Sequence, residues 1–294
     1  MKMNHFSLFC VTLLVYLRIT NVFGGQICPT VCRCSWKDGK NVIDCDQSNL
    51  TEVPKILNND GEYSYQDQIY NRASFNGNPL NFDKNFSLKD HQYGDIQELS
   101  FHICKIKFIF RKLFGGLLIL QTLDLSQNKI SSIDKMAFQD LQRLKVLDLS
   151  HNEIISLHET IFINLNQLVA LDLSKNQLEF LKIQDLGSRD DSRRTVKKLK
   201  NLNLEDNPWK CDCELGRFCT DLQYRQIPPK EARCSNGFMW SKITTKNFTC
   251  SPNLTKTPPQ RNHKIGENQT LHCNFEVVIK SVTEAHAITF SRMI

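Results

Sequence analysis

Beyond residue 24 the chain has no apolar run approaching the ~18 residues that a membrane helix needs, so no bilayer span is legible there. It also lacks the short motifs that carry common chemistries. There is no nucleophile elbow, no metal-ligand motif and no glycine-rich phosphate loop. The chain is therefore expected not to be an enzyme and to need no cofactor. Charge of one sign is scarce too. The formal net charge of +6 includes Lys2 and Arg18, and without residues 1–24 it falls to +4. That is too mild to imply a nucleic-acid partner. One basic run, SRDDSRRTVKKLK at residues 188–200, reads as a solvated loop, with a heparan-sulfate contact as the sharper alternative.

What is present begins with an export signal. Lys2 gives a short basic start, residues 6–17 are largely apolar, and Val22 and Gly24 are placed like the small residues before a signal-peptidase cut. Residues 1–24 are expected to be a signal peptide, with a signal anchor as the alternative. Export fits the cysteine usage. Eight of the twelve cysteines form two clusters of four, Cys28, Cys32, Cys34 and Cys45, then Cys211, Cys213, Cys234 and Cys250. In an oxidising compartment such clusters read as disulfides, and each allows three pairings. The Cys-x-Cys spacings are tighter than the usual zinc pair.

Between the clusters one pattern recurs every 24 residues: LQTLDLSQNKISSI from Leu120, LKVLDLSHNEIISL from Leu144 and LVALDLSKNQLEFL from Leu168. The frame Leu-x-x-Leu-x-Leu-x-x-Asn-x-Leu/Ile is that of the leucine-rich repeat. Outward, Ile96, Leu99, Phe101, Cys104 and Ile106 fill one more unit. Leu199, Leu202, Leu204 and Asn207 fill another after an insertion. A degenerate unit starts near Tyr70, with Ala73, Phe75, Asn78 and Leu80 in frame. Residues 70–207 thus hold about six repeats, expected to stack as an α/β solenoid with a parallel concave sheet and a mostly irregular convex side.

Each buried leucine contributes roughly 1.5–3 kcal/mol, which offsets the entropy of ordering the unit. The Asn slot (Asn128, Asn152, Asn176, Asn207) is polar yet inward, so its amide is expected to satisfy backbone groups of the turn leaving each strand. Cys104 occupies that slot in its own repeat and reads as a buried structural thiol. A solenoid exposes leucines at both ends, so the two cysteine clusters at residues 26–57 and 208–251 read as caps.

Recognition is the expected task, since the strands expose the residues between the leucines along a shared face. One column is Ser100, Asp124, Asp148, Asp172 and Asn203. The next is His102, Ser126, Ser150, Ser174 and Glu205, followed by Ile103, Gln127, His151, Lys175 and Asp206. Six strands give roughly 25 Å of surface, which suits a protein segment better than a metabolite. Single carboxylates on separate strands make a weak cation site, so no metal is expected. Asp148, Ser150 and His151 resemble a triad only in sequence, because Asp148 and Ser150 share a strand face that His151 does not. N-glycosylation sequons stand at Asn49, Asn85, Asn247, Asn253 and Asn268, none within residues 120–176.

The caps resemble the cysteine-rich flanks of extracellular leucine-rich-repeat proteins. That resemblance implies first-to-third and second-to-fourth pairing: Cys28–Cys34, Cys32–Cys45, Cys211–Cys234 and Cys213–Cys250. After the second cap, KIGENQTLHCNFEV resembles the opening strands of an immunoglobulin domain, with Cys273 as its first cysteine and Phe290 near the usual tryptophan. CSWKDGK in the first flank, ICKI around Cys104 and GENQTLHC make the whole similar to the Kekkon-like LRR–Ig surface proteins of arthropods. The resemblance implies a single-pass surface protein that contacts or modulates other receptors, including receptor tyrosine kinases. Three features depart from it. Residues 58–69 fit poorly, the first repeat lacks its usual leucines, and Cys219 has no partner in the pattern. An immunoglobulin sandwich needs about 100 residues and a second cysteine. The stretch 252–294 has neither, so a partial all-β immunoglobulin-like segment and a truncated product or incomplete gene model are expected. Rival readings are the N-terminal part of a peroxidasin-type haem peroxidase and a secreted matrix or immune-recognition protein. Localisation is expected to be extracellular, or at the plasma membrane if a span lies downstream.

Overall fold

Each repeat offers only one inward Leu on its strand before the chain must turn back, so strands of three residues are all the pattern supports. A computed structural model describes residues 22–23, 26–58, 70–181, 198–210, 229–230, 232–235, 237 and 239–240. The six repeat strands are Arg72–Ser74, Glu98–Ser100, Thr122–Asp124, Val146–Asp148, Ala170–Asp172 and Asn201–Asn203. They are parallel and in register, so that Ala73, Leu99, Leu123, Leu147, Leu171 and Leu202 form one inward column. All six are essentially fully buried.

The flanks extend this sheet beyond the repeats. An antiparallel hairpin, Arg33–Lys37 with Lys40–Asp44, adds two strands at one end, and Pro229–Lys230 adds one at the other. The result is a nine-stranded sheet in sequence order. At the usual strand spacing it is roughly 38 Å long, half as long again as six repeats alone. No α-helix occurs among the described residues, so the return segments that an α/β class would supply with helices are turns here. A short parallel pair, Phe108–Ile109 with Ser132–Ile133, is the regular element on that side. Phe114, Phe138 and Phe162 fill the space beneath it, the first two stacked at 6.1 Å.

The first repeat needs few leucines because aromatic rings take their place. Phe75 stacks on Phe101 at 5.2 Å and meets Tyr93 edge-on at 5.6 Å, while Phe82 packs edge-on against Phe101. The Tyr93 hydroxyl donates to the Pro54 carbonyl at 2.8 Å, which ties this repeat to the first flank. The disulfides Cys28–Cys34 and Cys32–Cys45 close that flank. At the other end Trp209 and Trp240, both fully buried, meet edge-on at 5.4 Å, and the Trp209 indole donates to the Leu204 carbonyl. Cys234 is disulfide-bonded beside them, whereas Cys211, Cys213, Cys219 and Cys250 lie outside the described residues. So do residues 1–21 of the expected signal peptide, most of the basic run and the immunoglobulin-like stretch 252–294.

The asparagine slot joins neighbouring repeats. Asn152 donates to the carbonyls of Leu125, Leu149 and Ser150, and its own carbonyl accepts the Ile130 amide. Asn128, Asn176 and Asn207 repeat the arrangement in their own units. Cys104 performs half of this task. Its thiol donates to the Phe75 carbonyl at 3.0 Å, but a thiol is a weak acceptor. The Leu80 amide, which an Asn side chain would receive, is shared instead between the Asn78 carbonyl at 2.8 Å and the Cys104 backbone carbonyl at 3.1 Å. The peptide that turns this carbonyl toward the first repeat places Lys105 at φ 59°, a left-handed conformation absent at the equivalent Lys129, Glu153 and Gln177.

Two substitutions separate these roles. Asn152→Ala strands several buried backbone groups and is expected to cost about 3 kcal/mol in urea unfolding. Cys104→Asn restores the missing acceptor and frees Lys105, so it is expected to leave stability unchanged or raised. A loss above about 1 kcal/mol there would contradict this account of the ladder.

Candidate binding face on the concave sheet

Three rows of side chains cross the concave face. At the start of the strands stand Arg72, Glu98, Thr122, Val146, Ala170 and Asn201, one per repeat. Two residues on come Ser74, Ser100, Asp124, Asp148, Asp172 and Asn203, and two further on Asn76, His102, Ser126, Ser150, Ser174 and Glu205. Successive rows share a face because side chains alternate along a strand.

The expectation that the Asp and Ser columns form an exposed docking ladder needs correction. Asp148, Asp172, Ser126, Ser150 and Ser174 are all buried, at 6–8 % exposure. Each Asp folds back on its own repeat. Asp124 Oδ1 accepts the Ser126 amide and hydroxyl, Asp172 Oδ1 accepts the Ser174 amide and hydroxyl, and Asp148 Oδ1 accepts the Ser150 amide at 2.8 Å. These are Asx-type turns that shape the exit from the strand. Ser100, His102, Asp124, Asn203 and Glu205 remain half-buried, tied by Ser100 to Asp124, His102 to Ser126 and Asn203 to Asp172.

The third expected column is exposed but does not lie on the strands. Ile103, Gln127, His151, Lys175 and Asp206 all have φ between 52° and 57°, as Gly77 does at 73° in the first repeat. Ile103, Gln127, His151 and Lys175 each donate their amide to the next unit, as His151 does to the Ser174 carbonyl. The left-handed turn lets the following residue, the Asn, point inward. Ile103 is the costliest occupant, since a β-branched side chain resists this conformation. Partial burial and the neighbouring Lys175 hold the His151 pKa below its usual value. Ser150 and Asp148 already bond to each other, and His151 belongs to the turn.

Burial also governs Asp148 itself. Desolvation pushes its pKa up to about 7, against the hydrogen bonds from Ser150, and the carboxylates of Asp172 and Asp124 on adjacent strands add to the rise. The Cys104 thiol is pushed up to about 12, chiefly by burial, which makes it inert as a nucleophile. Among the described residues no cluster of His, Cys, Asp or Glu could hold a metal ion.

Sequence reasoning missed the row at the start of the strands. It borders a cavity of about 550 Å³ whose lining includes Lys40, Gln97, Glu98, Gln121, Thr122, Lys145, Val146, Val169, Ala170, Lys200 and Asn201. Glu98 is clamped by Lys40 and by Arg72 Nε. Burial raises the Glu98 pKa, but these two cations outweigh it and hold the carboxyl below its ordinary range. Gln97, Gln121 and Lys145 form a side-chain chain along the margin, with Lys145 Nζ donating to Gln121 Oε1 at 2.7 Å. A signal for this row was available. Between the first two leucines of the frame the repeats read Gln-Thr, Lys-Val and Val-Ala, whereas Asp-Leu-Ser is identical in all three. Residues common to every copy serve the fold that the copies share.

Asn49 and Asn85 are exposed, and Asn247, Asn253 and Asn268 lie outside the described residues. Comparison with family models matches residues 96–154 and 120–178 to the leucine rich repeat, and residues 27–57 to the leucine rich repeat N-terminal domain. The array is a leucine-rich-repeat solenoid. No curated protein matches the chain in sequence. An N-terminal repeat flank closed by two disulfides points to an oxidising, secretory or extracellular setting. Among the described residues, no helix is long and apolar enough to cross a membrane.

The Asp148 shift carries a pH dependence. Its folded pKa lies above the unfolded value of 3.8, so between about pH 4 and pH 7 the folded chain holds a proton that the unfolded chain has released. Asp148 therefore lowers stability as pH rises through that window, by up to about 1.4 kcal/mol per pH unit, and adds no further change above it. Asp148→Asn, made in a host that does not N-glycosylate, is expected to melt higher than the parent at about pH 8. That advantage should shrink toward about pH 5. An equal difference in melting temperature at both pH values would refute the assignment.

Proposed function

We propose that this chain is the recognition module of an extracellular leucine-rich-repeat protein, binding another protein through its concave sheet, and that it does no chemistry of its own. The observation that carries this reading is the continuous nine-stranded sheet. Its concave face combines a cavity at the start of the strands with side chains that differ from repeat to repeat. Repeat families use the curved face in this way because it presents many side chains on a rigid backbone. The finer reading is of an LRR–Ig protein of the Kekkon-like kind, acting at the cell surface on another receptor, receptor tyrosine kinases included. It rests on the flank and repeat residues quoted from the sequence, and a downstream span would supply membrane attachment.

A glycan tests the face directly. Asp124→Asn completes an Asn-x-Ser sequon with Ser126 on the concave side. His158→Asn completes one with Thr160 on an exposed return segment. Tagged chain secreted from animal cells is expected to stain partner-bearing cells in a protease-sensitive manner. The glycan at position 124 should abolish staining and the one at position 158 should not. Staining that survives the concave glycan would argue against this face.

A further inference from the structure

We infer that the cavity at the start of the strands takes an extended segment of the partner in which two acidic side chains bracket an aliphatic one. The inference rests on the concave-sheet reading and narrows it to one margin and one chemistry. The floor of the cavity is apolar at its centre, where Val146 and Ala170 lie side by side and are nearly buried. Exposed lysines stand beside the two strands that flank Ala170, Lys145 next to Val146 and Lys200 next to Asn201. They project from strands two apart, so their backbones are separated by roughly 10 Å.

The charge of the margin favours an acidic occupant. Lys40 and Arg72 outnumber Glu98, the one carboxylate among the lining residues, and hold it from both sides. A basic partner therefore has no carboxylate left to pair with here. Lys145 is oriented by a neutral group, the Gln121 amide, so its positive charge is uncompensated. Two residues further along the same strands lie the Asp124 and Asp172 carboxylates, which repel acids and confine them to the lysine margin.

Geometry sets the spacing. In an extended segment lying across the strands, residues i, i+2 and i+4 face the floor at about 6.7 Å intervals. An aliphatic residue at i+2 then meets Val146 and Ala170. Acids at i and i+4, about 13 Å apart, fall within reach of two long lysine side chains. The pattern is acid-x-aliphatic-x-acid.

The test uses the secreted chain and three labelled peptides read by fluorescence anisotropy: Gly-Asp-Ser-Val-Ser-Asp-Gly, its Asn version and its Lys version. The Asp peptide is expected to bind at least ~10-fold more tightly than the Asn peptide, and to weaken with salt. The double variant Lys145→Glu with Lys200→Glu, melting as the parent does, should reverse the preference and select the Lys peptide. Ala170→Trp, which fills the floor, should abolish binding of the Asp peptide. Equal binding of the Asp and Asn peptides, an unreversed preference in the double variant, or no binding of any peptide overturns the inference. Preferential binding of the Lys peptide to the parent chain, blocked by Ala170→Trp, also overturns it while leaving the concave face as the binding site. Binding that Ala170→Trp does not affect counts against both.

Discussion

A turn buried inside a stack is the constraint from which the rest follows. Each unit must leave its strand within a few residues, and the turn places amides and carbonyls where water cannot reach them. One carboxamide closes the account, since it offers two donors and an acceptor to groups on its own repeat and on the one before. The Asn152 side chain bonds backbone atoms at Leu125, Ile130, Leu149 and Ser150, spanning two units with a single residue. Stability in such an array passes from neighbour to neighbour, so each asparagine acts as a joint as well as a filler. Cys104 shows what the joint requires. Where the side chain cannot accept, the backbone does, and Lys105 adopts a strained conformation as a result.

The two ends of the stack solve the converse problem, which is to cover leucines with something other than another repeat. The first flank uses a β-hairpin held by two disulfides and hands over to the array through aromatic packing around Phe75 and Phe101. The far end uses a buried tryptophan pair beside a disulfide-bonded Cys234. Both caps also donate strands, so the sheet runs through the caps. A partner laid along the concave face can therefore meet flank residues such as Lys40 as readily as repeat residues.

Much of this was legible in the chain. The 24-residue frame located the strands, the inward leucines, the Asn slot and the buried Cys104, because hydrophobic burial and backbone satisfaction act at fixed positions. The binding face was harder to read. Asp148, Asp172, Ser126, Ser150 and Ser174 occupy positions in or just after the strands that alternation assigns to the concave side, and that assignment holds. Alternation does not report that the middle of the face is buried and that each Asp turns back onto its own Ser. Trp240 was missed for another reason: nothing in its local sequence marks it as the partner of Trp209. The lysine margin was missed because the variable pair between the first two leucines was not considered, although its variation between copies was itself informative.

The division of labour is thus between positions that repeat and positions that vary, and the first half of that claim can be measured alone. Native-state hydrogen exchange should follow the amides of Ile106, Ile130, Ile154 and Leu178, each received by an asparagine side chain of the next unit. If the asparagine ladder holds the stack together, these four amides exchange only through cooperative unfolding, with protection equal to the stability measured by denaturant. Exchange at rates typical of fraying loops would contradict the account.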